Sequence, residues 1–178
     1  MDSFSMRMLR NSVLTLVAAL VLSACERSQT TAAPQSTNAA ARGRPQPKLA
    51  TIKLWLGPEE LVSEIARTTP QLQTGMMFRT NMGENEGMIF VLPVAHRASF
   101  YMKNTIVPLT CAYLDRDGKI LELHDMTPEN ETPVEASHDN IQFVLETRQG
   151  WFERHNVRTG VVVVTEAGSL HETFFGRP

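Results

Sequence analysis

The sequence predicts a mainly β protein: an antiparallel β-sandwich or barrel-like domain of about eight short strands with two short helices. Two observations carry this expectation. From residue 49 onward, short runs rich in Val, Ile, Leu and aromatic residues are separated by Gly, Pro, Asn and Asp, the pattern of half-buried strands joined by turns. Strand-like and helix-like runs do not alternate regularly, so a sheet built from repeated parallel strand–helix–strand units is disfavoured.

The chain of 178 residues begins with Arg7 and Arg10, continues through the apolar run 13–22 and meets Leu22-Ser23-Ala24-Cys25. A basic start, a short apolar core and small residues make a secretory signal layout. A bilayer span needs roughly 20 apolar residues, so this run is too short to stay in the membrane as a helix. The segment resembles a bacterial lipoprotein signal, with residues 1–24 removed and Cys25 lipidated through its nucleophilic thiol. Glu26 after the cysteine favours the outer membrane over the inner one, with the protein facing the periplasm.

Residues 25–48 read as a disordered tether. Ala, Thr, Ser, Gln, Asn and Pro dominate, and Phe, Ile, Val and Leu are missing from 26–48, so little apolar surface is available to offset ordering entropy. A flexible chain of this length reaches roughly 25–30 Å. Residues 49–178 then form a single β-rich domain, of ordinary size for one core.

Within it, strands are expected at 51–56, 61–67, 88–92, 97–102, 109–114, 119–126, 141–147 and 160–166. Thr69 before Pro70 opens a helix to about Met77, and 149–155, carrying Trp151 and Phe152, gives the second. Asp115-Arg116-Asp117-Gly118 suits a type I turn followed by a left-handed glycine. That turn sets Asp115 opposite Lys119 and points Cys111 and Tyr113 at Leu123 and Leu121, which groups the apolar side chains. A two-residue turn at Asp117-Gly118 would instead slip the register and set Cys111 across from His124, beside a Tyr113–Glu122 pair.

Charge excludes some partners. Residues 49–178 carry 11 Lys and Arg against 17 Asp and Glu, a net of −6, so nucleic acid is not an expected partner. With Cys25 lipidated, Cys111 has no disulfide partner and reads as a small buried hydrophobe in its apolar strand.

The most distinctive stretch runs through Gly75-Met76-Met77-Phe78-Arg79, Glu86-Gly87-Met88-Ile89-Phe90-Val91 and Phe100-Tyr101-Met102-Lys103-Asn104-Thr105-Ile106-Val107-Pro108-Leu109. With Asp115-x-Asp117-Gly118-Lys119-Ile120 and Val144-Leu145-Glu146, these residues make roughly 51–165 resemble the domain of unknown function 192 family. The resemblance implies a small secreted or membrane-anchored β-rich domain and assigns no activity. The chain departs from that pattern at Tyr101, where tryptophan is common, and at Thr110, in place of an aspartate. It also lacks an acid after Gly160. An enzymatic role inherited through that aspartate is correspondingly weakened.

Lys103, Asn104 and Thr105 offer a cation with amide and hydroxyl groups beside an apolar wall, a set able to hold a small polar ligand. Arg79 is a second candidate anion contact, and Glu146 a candidate partner for Lys103. Alternatively, Asn104 and Thr105 close a strand-to-loop corner through backbone bonds. Glu122 and His124, two apart on a strand, form the best carboxylate–imidazole pair, and with Glu146 they define an alternative hydrolase acting on a cell-envelope substrate. Met76, Met77, Met82, Met88, Met102 and Met126 supply thioethers for a minor Cu(I) alternative, although methionine more often fills core gaps. Asp115-x-Asp117-Gly118 is too short for a calcium loop, and the consecutive Ser137-His138-Asp139 cannot form a triad among themselves. The favoured expectation is a non-catalytic, lipid-anchored envelope protein that binds a small polar ligand or an envelope partner, with no cofactor and no metal.

Overall fold

The computed structural model describes residues 43–176. The signal at 1–24, Cys25 and most of the tether lie outside the described residues. Ten strands and three short helices follow in order: β1 Thr51–Leu56, β2 Glu59–Ala66, α1 Thr69–Thr74, β3 Glu86–His96, β4 Ser99–Phe100, β5 Leu109–Leu114, β6 Ile120–Met126, β7 Val134–Glu135, β8 Ile141–Arg148, α2 Trp151–Arg154, β9 Val163–Thr165, β10 Gly168–Ser169 and α3 Leu170–Phe175. Eight strands make one sheet in the order β10-β9-β1-β2-β3-β8-β5-β6, and β4 pairs with β7 in a separate ribbon. The main sheet curls until Lys119 forms a single bridge with Val162, without closing into a barrel.

The mainly β expectation holds, with one difference in direction. All pairs in the main sheet are antiparallel except β2 with β3, which run parallel. Parallel neighbours need a crossover of a dozen or more residues. The stretch 67–85, containing α1, supplies it. Gln71 accepts hydrogen bonds from the Arg67 and Thr68 backbone N–H groups, closing the start of α1. Gly75 ends α1 at φ 46, and a Cβ there would press on the Phe90 ring at 3.1 Å. Only glycine takes that turn and that approach without strain.

Both faces of the central strands are covered, which explains why β5 is buried along its whole length and β8 along all but its last residue. On one face Met88, Phe90, Leu109, Cys111, Tyr113 and Val144 pack with Met76 and Met102. On the other, Ile89, Val91, Ala112, Leu114, Phe143 and Leu145 pack with Trp151 and Phe152 of α2 and Leu170 of α3. Alternate residues of one strand thus serve opposite cores.

The tether end is less free than its composition suggested. Gln46 Nε2 donates to the carbonyls of Gln71 (3.4 Å) and Gly75 (2.9 Å), and the Leu49 N–H donates to Glu64 (2.7 Å). Gln46 therefore docks at the C-terminal end of α1, and Leu49 beside β2. The segment expected as one strand at 97–102 splits, leaving a two-residue β4 and a tight corner at 102–105.

The hairpin joins features of both anticipated registers. Asp115 Oδ1 accepts from the N–H groups of Asp117 and Lys119, and the Asp115 N–H bonds the Lys119 carbonyl, as the turn-plus-glycine reading requires. A bulge at Leu121 then shifts the pairing, so Tyr113 faces Glu122 and Cys111 faces His124. The favoured pairing of Cys111 with Leu123 is therefore corrected beyond the turn. The extra residue is absorbed by a bulge that the local sequence does not announce.

Candidate functional site

One row of residues crosses the sheet on a single face. Glu64 on β2 lies beside Met88 on β3, Met88 beside Glu146 on β8, Glu146 beside Cys111 on β5, and Cys111 beside His124 on β6. Strand pairing brings these side chains together although they are far apart in the chain.

Glu64 is satisfied, accepting from the Leu49 N–H and from Arg79 Nη2 at 2.8 Å. Arg79 is mostly buried, and its Nε has no hydrogen-bond partner among the described residues. The expected anion contact is thus already committed to a carboxylate on one of its nitrogens.

Glu146 is different. It is 4% exposed, and no hydrogen bond or ion pair reaches its carboxyl among the described residues. Burial pushes its pKa up to about 8, because an ionised carboxylate is poorly solvated there. The carboxyl lines a cavity of about 370 Å³ beneath α1. Leu72, Met76, Met77, Phe90, Leu92 and Phe100 give it apolar and aromatic walls, with Ser99 and Tyr101 among the exposed lining residues. Phe90 and Phe100 meet edge to face at 5.0 Å. An apolar cavity with one convergent polar group of shifted pKa is the usual form of a small-molecule site.

The Lys103-Asn104-Thr105 group is mainly a corner. Asn104 sits at φ 55 and its carbonyl accepts from the Phe78 N–H, while the Thr105 N–H bonds the Met102 carbonyl. Thr105 is buried, donates its hydroxyl to the Lys103 carbonyl at 3.2 Å and lines the cavity with Glu146. Lys103 does not line it. Its Nζ lies 3.7 Å from Glu131, so the expected pairing with Glu146 is corrected. The backbone turn at Asn104 directs Lys103 to solvent.

The Glu122–His124 pair forms, with partners the sequence did not suggest. Glu122 takes His124 Nε2 at 2.9 Å, His138 Nδ1 at 2.6 Å, and the Ser137 hydroxyl and backbone N–H groups of Ser137 and His138. Desolvation would raise its pKa. Hydrogen bonds from His138, His124 and the two backbone N–H groups outweigh it and hold the group at about 2. This carboxylate is a saturated anchor for the 137–138 segment. Tyr113, whose ring lies tilted 58° to that of His124 at 5.5 Å, donates to the Val134 carbonyl and holds the neighbouring ribbon. None of these groups lines the Glu146 cavity, so the three residues of the hydrolase alternative do not share a cleft.

Cys111 is fully buried, and burial lifts its thiol well above the ordinary range, leaving a neutral core group. Met76, Met82, Met88, Met102 and Met126 are core side chains, while Met77 lines the cavity. Thr110, which stands where the resemblance implied an aspartate, is buried. It donates to Asp125 at 2.5 Å and accepts from the Gly150 N–H at 2.9 Å.

The cavity walls, Leu72, Met76, Phe90 and Phe100, were not anticipated as a site. The available signal was an acid, Glu146, after the apolar run Phe143-Val144-Leu145, where a central strand leaves a carboxylate little solvent.

The sequence profile of the DUF192 family, described as "Uncharacterized ACR", matches residues 55–165. A crystal structure from Sinorhizobium meliloti 1021, described as that of a candidate transcription regulator, is 25% identical with a TM-score of 0.64, covering 67% of this chain and 97% of that one. A protein of unknown function from Novosphingobium aromaticivorans DSM 12444 is 33% identical with a TM-score of 0.61, covering 70% of this chain and 93% of that one. No curated protein matches.

Proposed function

The chain belongs to the DUF192 family, whose description assigns no activity, and from that premise we propose a non-catalytic module that binds a small ligand in the cavity beneath α1. The buried carboxyl of Glu146, facing that cavity without a partner, is the observation that carries this reading. Leaving such a group unbonded costs about 1–3 kcal/mol, and a ligand that completes it recovers the loss. The ligand has an apolar body for the Phe90, Phe100 and Met76 walls and one polar end for Glu146. Cavity size limits it to a small molecule. The recognition centre thus moves from Lys103, where the sequence pointed, to Glu146 and Thr105.

The module works at the cell envelope in this proposal, held through lipid on Cys25 and facing the periplasm, with the outer membrane favoured. The signal layout ending at Leu22-Ser23-Ala24-Cys25 supports this. The regulator description of the Sinorhizobium protein is not extended to this chain, because a net charge of −6 over residues 49–178 opposes phosphate contacts.

A thermal-shift screen of the full-length processed protein against small amines, alcohols, carboxylic acids and sugars tests the binding reading. Ser99, exposed among the cavity-lining residues, is changed to Trp as the control. Stabilisation of the wild type by at least one compound, abolished by Ser99→Trp, is expected. A silent panel, or hits indifferent to Ser99→Trp, would refute it.

A further inference from the structure

We propose that the ligand enters the Glu146 cavity as an ammonium ion on an aromatic or alkyl body, held by the Glu146 carboxylate and the Thr105 hydroxyl oxygen. This rests on the binding reading above and names its ligand class. Three features of the lining select it.

The first is charge. Among the described residues no Lys, Arg or His lines the cavity, and the two nearby cations foreseen from the sequence are turned to Glu64 and Glu131. A carboxylate or phosphate ligand would find no cation among these residues and would face the Glu146 carboxyl. Around the site, residues 49–178 are net negative, which draws cations toward it.

The second is hydrogen-bond polarity. The Thr105 proton is committed to the Lys103 carbonyl, so its oxygen remains as an acceptor in the cavity. An ionised Glu146 likewise only accepts. Once Glu146 is ionised, an –NH₃⁺ group, with three donors and no acceptor, can bond both oxygens at once, whereas a hydroxyl has one donor and a carbonyl none; the alcohol is the head group that competes for the neutral acid. The third is the aromatic wall of Phe90 and Phe100, with Tyr101 beside them, whose faces attract cations and whose area suits an aryl or alkyl body.

Binding then exchanges a proton. The resting site holds the neutral acid; the ammonium form of the ligand replaces that acid's proton, which leaves for solvent, and no covalent bond forms. Groups facing Glu146 from neighbouring elements are Cys111 and Tyr113 on β5, both pushed upward by burial; further along the same face Glu64 is paired with Arg79, Tyr101 lines the cavity, and α1 contributes no ionisable side chain. One carboxyl therefore governs the pH dependence. Because its pKa is raised to about 8, amine affinity climbs about tenfold per pH unit from 6 toward 8 and levels off above it. The climb ends where the amine itself loses its proton, near pH 10.

Phenethylamine, 2-phenylethanol and 3-phenylpropanoate, equal in body and different in head group, separate the possibilities by calorimetry on the full processed chain. Buffers of different ionisation heat report proton release. Expected are tighter binding of phenethylamine than of the alcohol, no binding of the acid, and release of nearly one proton at pH 7. Glu146→Gln should weaken the amine at least tenfold and move the alcohol less than twofold, and Ser99→Trp should block both. Equal or better binding of the alcohol, or no proton release, overturns the ammonium assignment and leaves the cavity reading standing. If none of the three binds, the assignment falls. The binding reading falls with it only when the Ser99→Trp-controlled screen is silent as well.

Discussion

Glu146→Gln should make the protein more stable at neutral pH and change it little below pH 4. An ordinary glutamate titrates at 4.5, and burial moves this one to about 8. Between those values the unfolded chain gives up the proton while the folded chain keeps it. The folded state therefore binds more protons, and stability falls as pH rises. Each unit is worth about 1.4 kcal/mol, so the cost reaches about 3 kcal/mol at pH 7 and about 5 kcal/mol above pH 8, as orders of magnitude. Gln keeps the shape and removes the titration. Urea unfolding of both proteins at pH 4, 6 and 8 should show curves that nearly coincide at pH 4 and separate by about 1.4 kcal/mol per unit above it. Parallel pH profiles would refute the reasoning, because a carboxyl that ionises alike in both states contributes no slope.

Glu122→Gln should act in the opposite pH window: its carboxylate, held at about 2, contributes stability present above pH 4.5 and lost as pH falls toward 2, so acid unfolding of the variant should lose that component. Gly118→Ala should destabilise by about 1–3 kcal/mol in a denaturant melt, since Gly118 sits at φ +81 and a Cβ there would approach the Val163 carbonyl to 2.7 Å. Trp151→Ala should cost about 3–5 kcal/mol in the same assay, because the indole is fully buried against Phe152 and its Nε1 bonds Asn85.

The strands that were easiest to read are those whose side chains alone decide their place. β1, β5, β6 and β8 fall within a residue or so of expectation because each is a concentrated apolar run with turn residues at its ends. Elements fixed by distant partners were not legible. The β2–β3 parallel pairing depends on α1 crossing over the sheet, and β4 exists only because β7 pairs with it. α3 was overlooked although Ser169 and Glu172 bond each other's backbone N–H groups, a cap spacing readable in the sequence.

The candidate site divides in the same way. Glu146, Thr105, Lys103 and Asn104 were named from residue chemistry, and two of them do meet in the cavity. Lys103 was misplaced because the left-handed turn at Asn104 decides where it points. Phe90, Leu72 and Phe100 come together only through the crossover and the β4–β7 ribbon. Cys111 and His124 became neighbours through the bulge at Leu121, and burial keeps that thiol chemically quiet.

The state of the Glu146 carboxyl in the empty cavity decides the account most directly. Infrared difference spectra of wild type against Glu146→Gln, collected from pH 5 to 10, isolate its protonated C=O stretch. A band present at pH 7 that fades with a midpoint near 8 is the predicted result, and a band already lost by pH 6 would contradict it.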